Sequence, residues 1–311
     1  MLKIYPDYYK KFKCIGSSCA HNCCIGWEID IDEDTKDVYR SVDGEMGKRL
    51  RRGIAWDDEP AHFIHRKGNR CPFLNESNLC DIITGLGEDH LCTICAEHPR
   101  FKCELPGRIE IGVGLCCEEA CRLVLGCREC VTFIRAGDDE GVLDEIISLR
   151  DSVIDCLQNR EAAIEQRADE ILRLCDTSLP ERTVTEWAGF LLSLERLDEK
   201  WTEMLTLVRD SFDTADTEGF DCHMKDRQHE YEQLLVYFVY RHMACGADIF
   251  DAACRAAFAP LAYKVLYAAG ACMWTKNGKF SFEDQAELAR LFSSEIEYSE
   301  ENLDIIFDEL Y

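Results

Sequence analysis

The sequence is poor in positive charge, in long apolar runs and in strand-like alternation. Its 35 Lys and Arg stand against 60 Asp and Glu, for a net charge of −25, and a field of that sign repels nucleic-acid phosphates and anionic membrane surfaces. Neither nucleic acid nor membrane is expected as a partner. No stretch approaches the roughly 18 uninterrupted apolar residues of a membrane span, and the opening MLKIYPDYYKKF lacks an apolar run of signal-peptide length. The expected location is cytoplasmic. Internal repeats and low-complexity tracts are absent, and alternation is confined to 108–113 and 27–31.

What is abundant is cysteine. There are 20 in 311 residues, 14 of them in the first 130, a density below that of small disulfide scaffolds. In a reducing compartment such a pattern points to metal or iron–sulfur ligation rather than to disulfides. Composition therefore divides the chain into a cysteine-rich region, 1–135, and a helical region, 136–311, joined by the polar stretch 136–141. The first holds turn residues such as Gly16, Gly26, Gly68, Pro72, Gly85 and Pro99, as expected of backbone wrapped around a metal.

Beyond residue 138 the periodicity is helical. Val142, Leu143, Ile146, Ile147, Val153, Ile154 and Leu157 recur at three- and four-residue steps, as do Ala168, Ile171, Leu172 and Cys175. Thr183–Glu186 is a cap signature opening a run from Trp187 to Val208, and Ser281 and Ser299 start two further helices. The fold class is mainly α: an irregular cysteine-rich metal-binding N-terminal region packed on a C-terminal helical bundle.

Cys14, Cys19, Cys23 and Cys24 are followed by Cys71, Cys80, and Cys92-x2-Cys95. A two-residue gap lets two sulfurs of one turn face a common metal, and adjacent cysteines can serve two directions. Cys156, Cys175, Cys245, Cys254 and Cys272 sit in helical apolar patterns and read as small core residues. Closed zinc sites favour paired C-x2-C knuckles, of which only Cys92/Cys95 and Cys127/Cys130 have the form. Irregular spacing beside Phe73, Leu74, Ile82 and Leu91 favours a [4Fe–4S] cluster, with zinc the alternative. The C-x3-C-x2-C arrangement of radical S-adenosylmethionine enzymes is missing, because Gly26 stands where its third thiol belongs. No glycine-rich loop for that donor is visible either; Gly112-Val113-Gly114 is a lone G-x-G.

The segments F12-K-C-I-G-S-S-C, C23-C-I-G-W, C71-P-F-L-N-E, L79-C-D-I, L91-C-T-I-C and H98-P-R resemble the bacterial flagellin lysine-N-methylase family. Further on, L115-C-C-E-E-A-C-R is similar to that family's L-S-C-P-E-A-A-R element, and 237–242 and 295–302 are similar to its later helices. The resemblance implies a [4Fe–4S] cluster, S-adenosylmethionine as methyl donor and lysine ε-amines of flagellin as acceptor. It also adds Cys117 to the ligand candidates. Cys116, Glu118 and Cys121 stand where the family has Ser, Pro and Ala, while Cys103, Cys127 and Cys130 are additional, which leaves thiols for a second metal site.

That chemistry sets a physical requirement. A lysine of pKa near 10.4 is neutral in only about one molecule in 2,500 at pH 7, so roughly 4.6 kcal/mol must be recovered by deprotonating or desolvating it. Acidic walls alone raise the amine pKa, and an aromatic or neutral pocket is required. Tyr240 and His242 are the candidate bases, with Tyr237 on the same helix, and Arg241 is the candidate partner of the donor's carboxylate. Two readings of another class stand beside this one: an iron–sulfur redox sensor, and a metal-storage or chaperone protein without methyl transfer.

Overall fold

The computed structural model describes residues 1–138 and 144–311, so Val142 and Leu143 of the helical pattern lie outside it. The chain is mainly helical. It divides into two compact units, Lys13–Phe101 and a larger one made of Met1–Phe12 with Lys102–Tyr311. The segment 102–135, grouped by composition with the cysteine-rich region, thus belongs to the unit that holds the longer helices. The physical reason is strand pairing, which composition does not report.

In the smaller unit the helices are short: Glu33–Ser41, Gly44–Gly53, Asp81–Leu86 and Thr93–Glu97. Asp32 ties two of them together. Its carboxylate accepts the Thr35 N–H at 3.0 Å, capping the first helix, and the Thr93 N–H at 2.8 Å at the start of the last. Burial works against ionisation of Asp32, but those backbone donors win and hold its carboxyl at about 2. The core gathers Ile29, Ile31, Tyr39, Leu50, Phe63, Phe73 and Ile82 around Cys71 and Cys92. Strand structure is slight. Ile54–Ala55 pairs antiparallel with His62–Phe63, and the alternation at 27–31 yields a single bridge, Asp30 to His62.

The larger unit contains a four-stranded sheet in the order Arg100–Leu105, Arg108–Val113, Leu2–Pro6, Phe133–Ala136. Leu2–Pro6 is an interior strand, parallel to Arg108–Val113 and antiparallel to Phe133–Ala136. Among the helices, Gln228–His242 and Ile249–Asn277 form the centre. The second is long and apolar enough to cross a membrane by length and composition, yet 83% of its most apolar window is buried inside the protein. Alanines and Gly270 line it, and a Cβ at Gly270 would sit 2.7 Å from the Phe220 ring. That is the close approach of a core helix.

The cap signature at Thr183 is realised as a capping box with Glu186, but the helix ends at Leu191 and a new one runs from Glu199 to Ser211. The break is imposed from outside. Glu295 accepts the Leu197 and Asp198 N–H groups at 2.8 Å each, and Asn302 bonds both Glu195 backbone groups. Those side chains satisfy backbone that a continuous helix would have satisfied internally. The caps at Ser281 and Ser299 open Phe282–Phe292 and Glu300–Leu310.

Candidate functional site

Two constellations carry chemistry, one in each unit. In the smaller unit, local backbone structure aims the thiols. The Cys71 N–H bonds the Cys24 carbonyl at 2.8 Å, Leu74 and Cys80 form a bridge, and Cys80 and Cys92 each stand as the cap residue of a short helix. Cys71 and Cys92 are buried, and Cys24, Cys80 and Cys95 pack against the same apolar core.

The sulfurs act on one another. A hydrogen bond from Cys24 lowers Cys23 to about 7 against the effect of burial, while Cys24 itself is raised by that bond. Cys92 is lowered by its bond from Cys95, and Cys95 is raised in return. Burial raises Cys71 to about 11 and also raises Cys80. Cys24 senses the charge of Cys71 and Cys80, Cys95 that of Cys24 and Cys71, and Cys71 that of Cys80 and Cys92. Six of the predicted ligands, Cys23, Cys24, Cys71, Cys80, Cys92 and Cys95, are therefore brought within electrostatic reach. Trp27 donates to the Cys23 carbonyl at 2.6 Å and lies 5.6 Å from the His98 ring.

The other three predicted ligands are placed differently. Cys14 is exposed, its Sγ accepting the Gly16 N–H at 3.4 Å, and the Cys19 Sγ is 3.2 Å from the His21 carbonyl oxygen. Cys117 belongs to the larger unit, where it caps the helix Glu118–Leu125. Among the described residues, no group of three or more His, Cys, Asp or Glu side chains is set to hold a metal ion. In the thiol form two sulfur pairs hydrogen-bond, and nothing draws the pairs to one point.

In the larger unit the polar cluster is built on the C-terminal end of Gln228–His242. Tyr237 and Arg241 are one helical turn apart, and the Arg241 guanidinium donates to the Tyr237 hydroxyl at 2.5 Å. Glu297 faces them from a π-turn, Ser293–Glu297, whose extra residue rotates the carboxylate inward. Its oxygens lie 3.3 Å from the Arg241 Nε, 2.7 Å from the His242 Nε2 and 3.1 Å from the Tyr237 hydroxyl. Tyr298 puts its ring 4.9 Å from the Arg241 guanidinium, and Leu115 donates its N–H to the Tyr237 hydroxyl at 3.3 Å. At Gly114 any Cβ would fall 2.2 Å from the Tyr298 hydroxyl. Three sequence segments, 114–116, 237–242 and 297–298, thus meet at one place.

Charge in this cluster is settled by burial and pairing. Burial opposes the ionisation of Glu297, but Arg241 and the His242 bond overcome it and leave the carboxyl below its ordinary value. Burial lowers His242, so it is a neutral imidazole with its Nε2 proton on Glu297. Burial raises Cys116 to about 12, against a hydrogen bond with Tyr298.

Arg241, a candidate for holding a carboxylate, is only 12% exposed and is paired with Glu297. Tyr240 projects elsewhere: its hydroxyl donates to the Ile4 carbonyl at 3.0 Å and the Ile111 carbonyl at 3.3 Å, both on the sheet. Tyr240 and His242 are therefore not brought to one point. Sequence reasoning missed Glu297 and Tyr298 as functional residues: 295–302 holds four glutamates, and nothing in their spacing marks the one at 297 as the carboxylate that meets Arg241.

The profile of the FliB lysine N-methylase C-terminal domain matches residues 168–311. A lysine-N-methylase of Salmonella typhimurium is 30% identical over 127 residues, covering 39% of this chain and 31% of that protein. The flagellar biosynthetic protein FliU of Salmonella muenchen is 30% identical over 132 residues, covering 39% of this chain and 75% of that protein. The matched part is thus under a third of the length of the first relative and three quarters of the second. No solved structure matches. The domain profile takes in Tyr237, Arg241, His242, Glu297 and Tyr298, and by that match and these relatives the chain belongs to the flagellin lysine-N-methylase family.

Proposed function

We propose that this chain is a cytoplasmic protein-lysine N-methyltransferase that uses S-adenosylmethionine and acts on lysine ε-amines of flagellin. The observation that carries this reading is the meeting of segments 114–116, 237–242 and 297–298 around a buried Arg–Glu–Tyr–His cluster within a methylase family's domain. The description of one relative as a flagellar biosynthetic protein supports the acceptor, and the high content of free cysteine supports a reducing compartment.

In the transfer, the amine lone pair attacks the methyl carbon, the sulfonium C–S bond breaks, and the amine loses one proton. Glu297 is an ionised carboxylate that fixes Arg241, so the guanidinium is presented in one orientation over the Tyr298 ring. A guanidinium held in one orientation supports the reading of Arg241 as the partner of a donor's carboxylate, although Glu297 and Tyr237 already take part of its hydrogen-bonding capacity. Neutral His242 is the better proton acceptor of the two candidates, because the Tyr240 hydroxyl proton is given to backbone carbonyls. The rings of Tyr237 and Tyr298 both meet the Arg241 guanidinium, and of the two it is Tyr298 that reaches the surface, where its ring suits a sulfonium or a desolvated amine.

The thiol set fits a [4Fe–4S] cluster in its chemistry. The six donors are all sulfur, and five of them, Cys24, Cys71, Cys80, Cys92 and Cys95, lie in or against the apolar core of Phe73, Leu74, Ile82 and Leu91, while Cys23 is exposed. Cys23, Cys24, Cys71, Cys80, Cys92 and Cys95 are the residues that would hold it. When bound, such a cluster supplies an electron carrier and, where one iron lacks a thiolate, a Lewis acid for amino and carboxylate groups.

The test incubates anaerobically purified protein with labelled donor and flagellin and maps methyl groups by mass spectrometry. Brown protein containing iron and acid-labile sulfide, with methyl transfer to lysine, is the expected result. Serine at Cys24, Cys71, Cys80, Cys92 or Cys95 should lower iron content more than serine at Cys14, Cys117 or Cys254. Colourless zinc-loaded protein would replace the cluster by zinc. An intact cluster with neither donor binding nor transfer would favour the redox-sensor reading, and transfer to other proteins alone would remove flagellin.

A further inference from the structure

Cys245 was expected in a helical apolar pattern as a core residue, and the structure places it otherwise. It ends the turn Met243–Cys245 that follows Gln228–His242, and it is exposed. Its Sγ is 2.8 Å from the Sγ of Cys103, a residue 142 positions away in the strand Arg100–Leu105. Cys103 is buried, backed by Ile147, Ala244 and Leu105. One thiol of the pair thus meets solvent, and the other waits behind it in an apolar pocket.

We infer that Cys245 and Cys103 form a peroxide-sensitive dithiol, in which Cys245 is the attacking and Cys103 the resolving cysteine of a reversible disulfide. The sulfurs need to close from 2.8 Å to the roughly 2.05 Å of an S–S bond, a movement of a few tenths of an ångström for each side chain. The hydrogen bond from Cys103 lowers the Cys245 thiol against the effect of burial, and Arg255 adds to the lowering, which favours the thiolate. Neither residue belongs to the thiol set of the smaller unit.

The chemistry balances with hydrogen peroxide as the oxidant. The Cys245 thiolate attacks one peroxide oxygen, the O–O bond breaks, and the departing hydroxide takes a proton as water, leaving a sulfenic acid on Cys245. The Cys103 sulfur then attacks the Cys245 sulfur. The S–O bond breaks, the second hydroxide leaves as water with the Cys103 proton, and the S–S bond forms. Two electrons pass from the two thiols to one peroxide. A dithiol reductant reverses the change.

The bond would join the strand Arg100–Leu105 to a point four residues beyond Arg241, crossing from the sheet to the end of the central helix. Intracellular disulfides of this kind are transient and sensing rather than structural. The assignment rests on the two sulfurs and stands whether or not the protein transfers methyl groups.

The experiment treats the full chain with one equivalent of hydrogen peroxide, blocks remaining thiols with N-ethylmaleimide, and maps cross-linked peptides by mass spectrometry before and after dithiothreitol. The expected result is a Cys103–Cys245 linked peptide that disappears on reduction. In Cys103→Ser, dimedone should trap a sulfenic acid at Cys245; Cys245→Ser, at an exposed position, should form no link through Cys103. The inference is overturned if both residues remain alkylatable after peroxide, or if Cys245 links chiefly to another cysteine such as Cys222 or Cys130.

Discussion

Replacing Glu297 by Gln removes one charge from the buried cluster while keeping its shape. Glu297 is fully buried and Arg241 is 12% exposed, with 3.3 Å between the paired atoms. At that separation and an effective dielectric of about 20, the Coulomb attraction is about 5 kcal/mol. The amide still accepts from His242 or Tyr237, which offsets part of the loss, and deleting one partner of a buried pair typically costs 3–5 kcal/mol. The expected destabilisation is about 3 kcal/mol. In urea, with a slope of about 3 kcal/mol per molar for a unit of this size, the midpoint followed by far-ultraviolet circular dichroism should fall by about 1 M. The double variant Glu297→Gln/Arg241→Met should recover at least about 1.5 kcal/mol of that, because the cation left with a weakened partner is gone. A loss below 1 kcal/mol, or strict additivity of the two changes, would refute the claim that Arg241 and Glu297 are coupled.

Asp32→Ala should cost the smaller unit about 2 kcal/mol, since one carboxylate caps the starts of two helices; thermal unfolding read by tryptophan fluorescence checks it, and alkylation of Cys95 should quicken as the Cys92–Cys95 turn loosens. Glu232 is 1% exposed and receives Arg160 at 2.7 Å and Arg167 at 2.6 Å. Burial opposes its ionisation, but those guanidiniums hold its carboxyl below the ordinary value. Its contribution is thus complete above the unfolded carboxyl pKa of about 4.3 and is lost as pH falls through the lower folded value. The melting temperature of the wild type should therefore drop more steeply from pH 5 to pH 3 than that of Glu232→Gln, and parallel curves would count against the pair.

What the sequence disclosed was what nearby residues determine. The boxes at Thr183 and Ser281 were readable because donor and acceptor lie three residues apart. The break at 192–198 was not, because Glu295 and Asn302 impose it from about a hundred residues away. The strand Leu2–Pro6 was hidden for a related reason: four of its five residues are buried, so no alternation marks it, and its partners are remote in sequence. Spacing singled out Cys14, Cys19, Cys23, Cys24, Cys71, Cys80, Cys92 and Cys95, of which Cys23, Cys24, Cys71, Cys80, Cys92 and Cys95 sense one another's charge. It had no means of pairing Cys103 with Cys245 or of turning Glu297 toward Arg241.

The interior position of Leu2–Pro6 makes Lys13–Phe101 an insertion between that strand and the rest of its own sheet. During synthesis at about 5–20 residues per second, the strand waits about 5–20 s for residues 108–113 to emerge. The inserted unit has all its parts before then. Its folding, and any loading of its thiols, can precede the sheet, and a shortened chain that skips from Phe12 to Lys102 would still contain every strand of the larger unit except the first two residues of Arg100–Leu105.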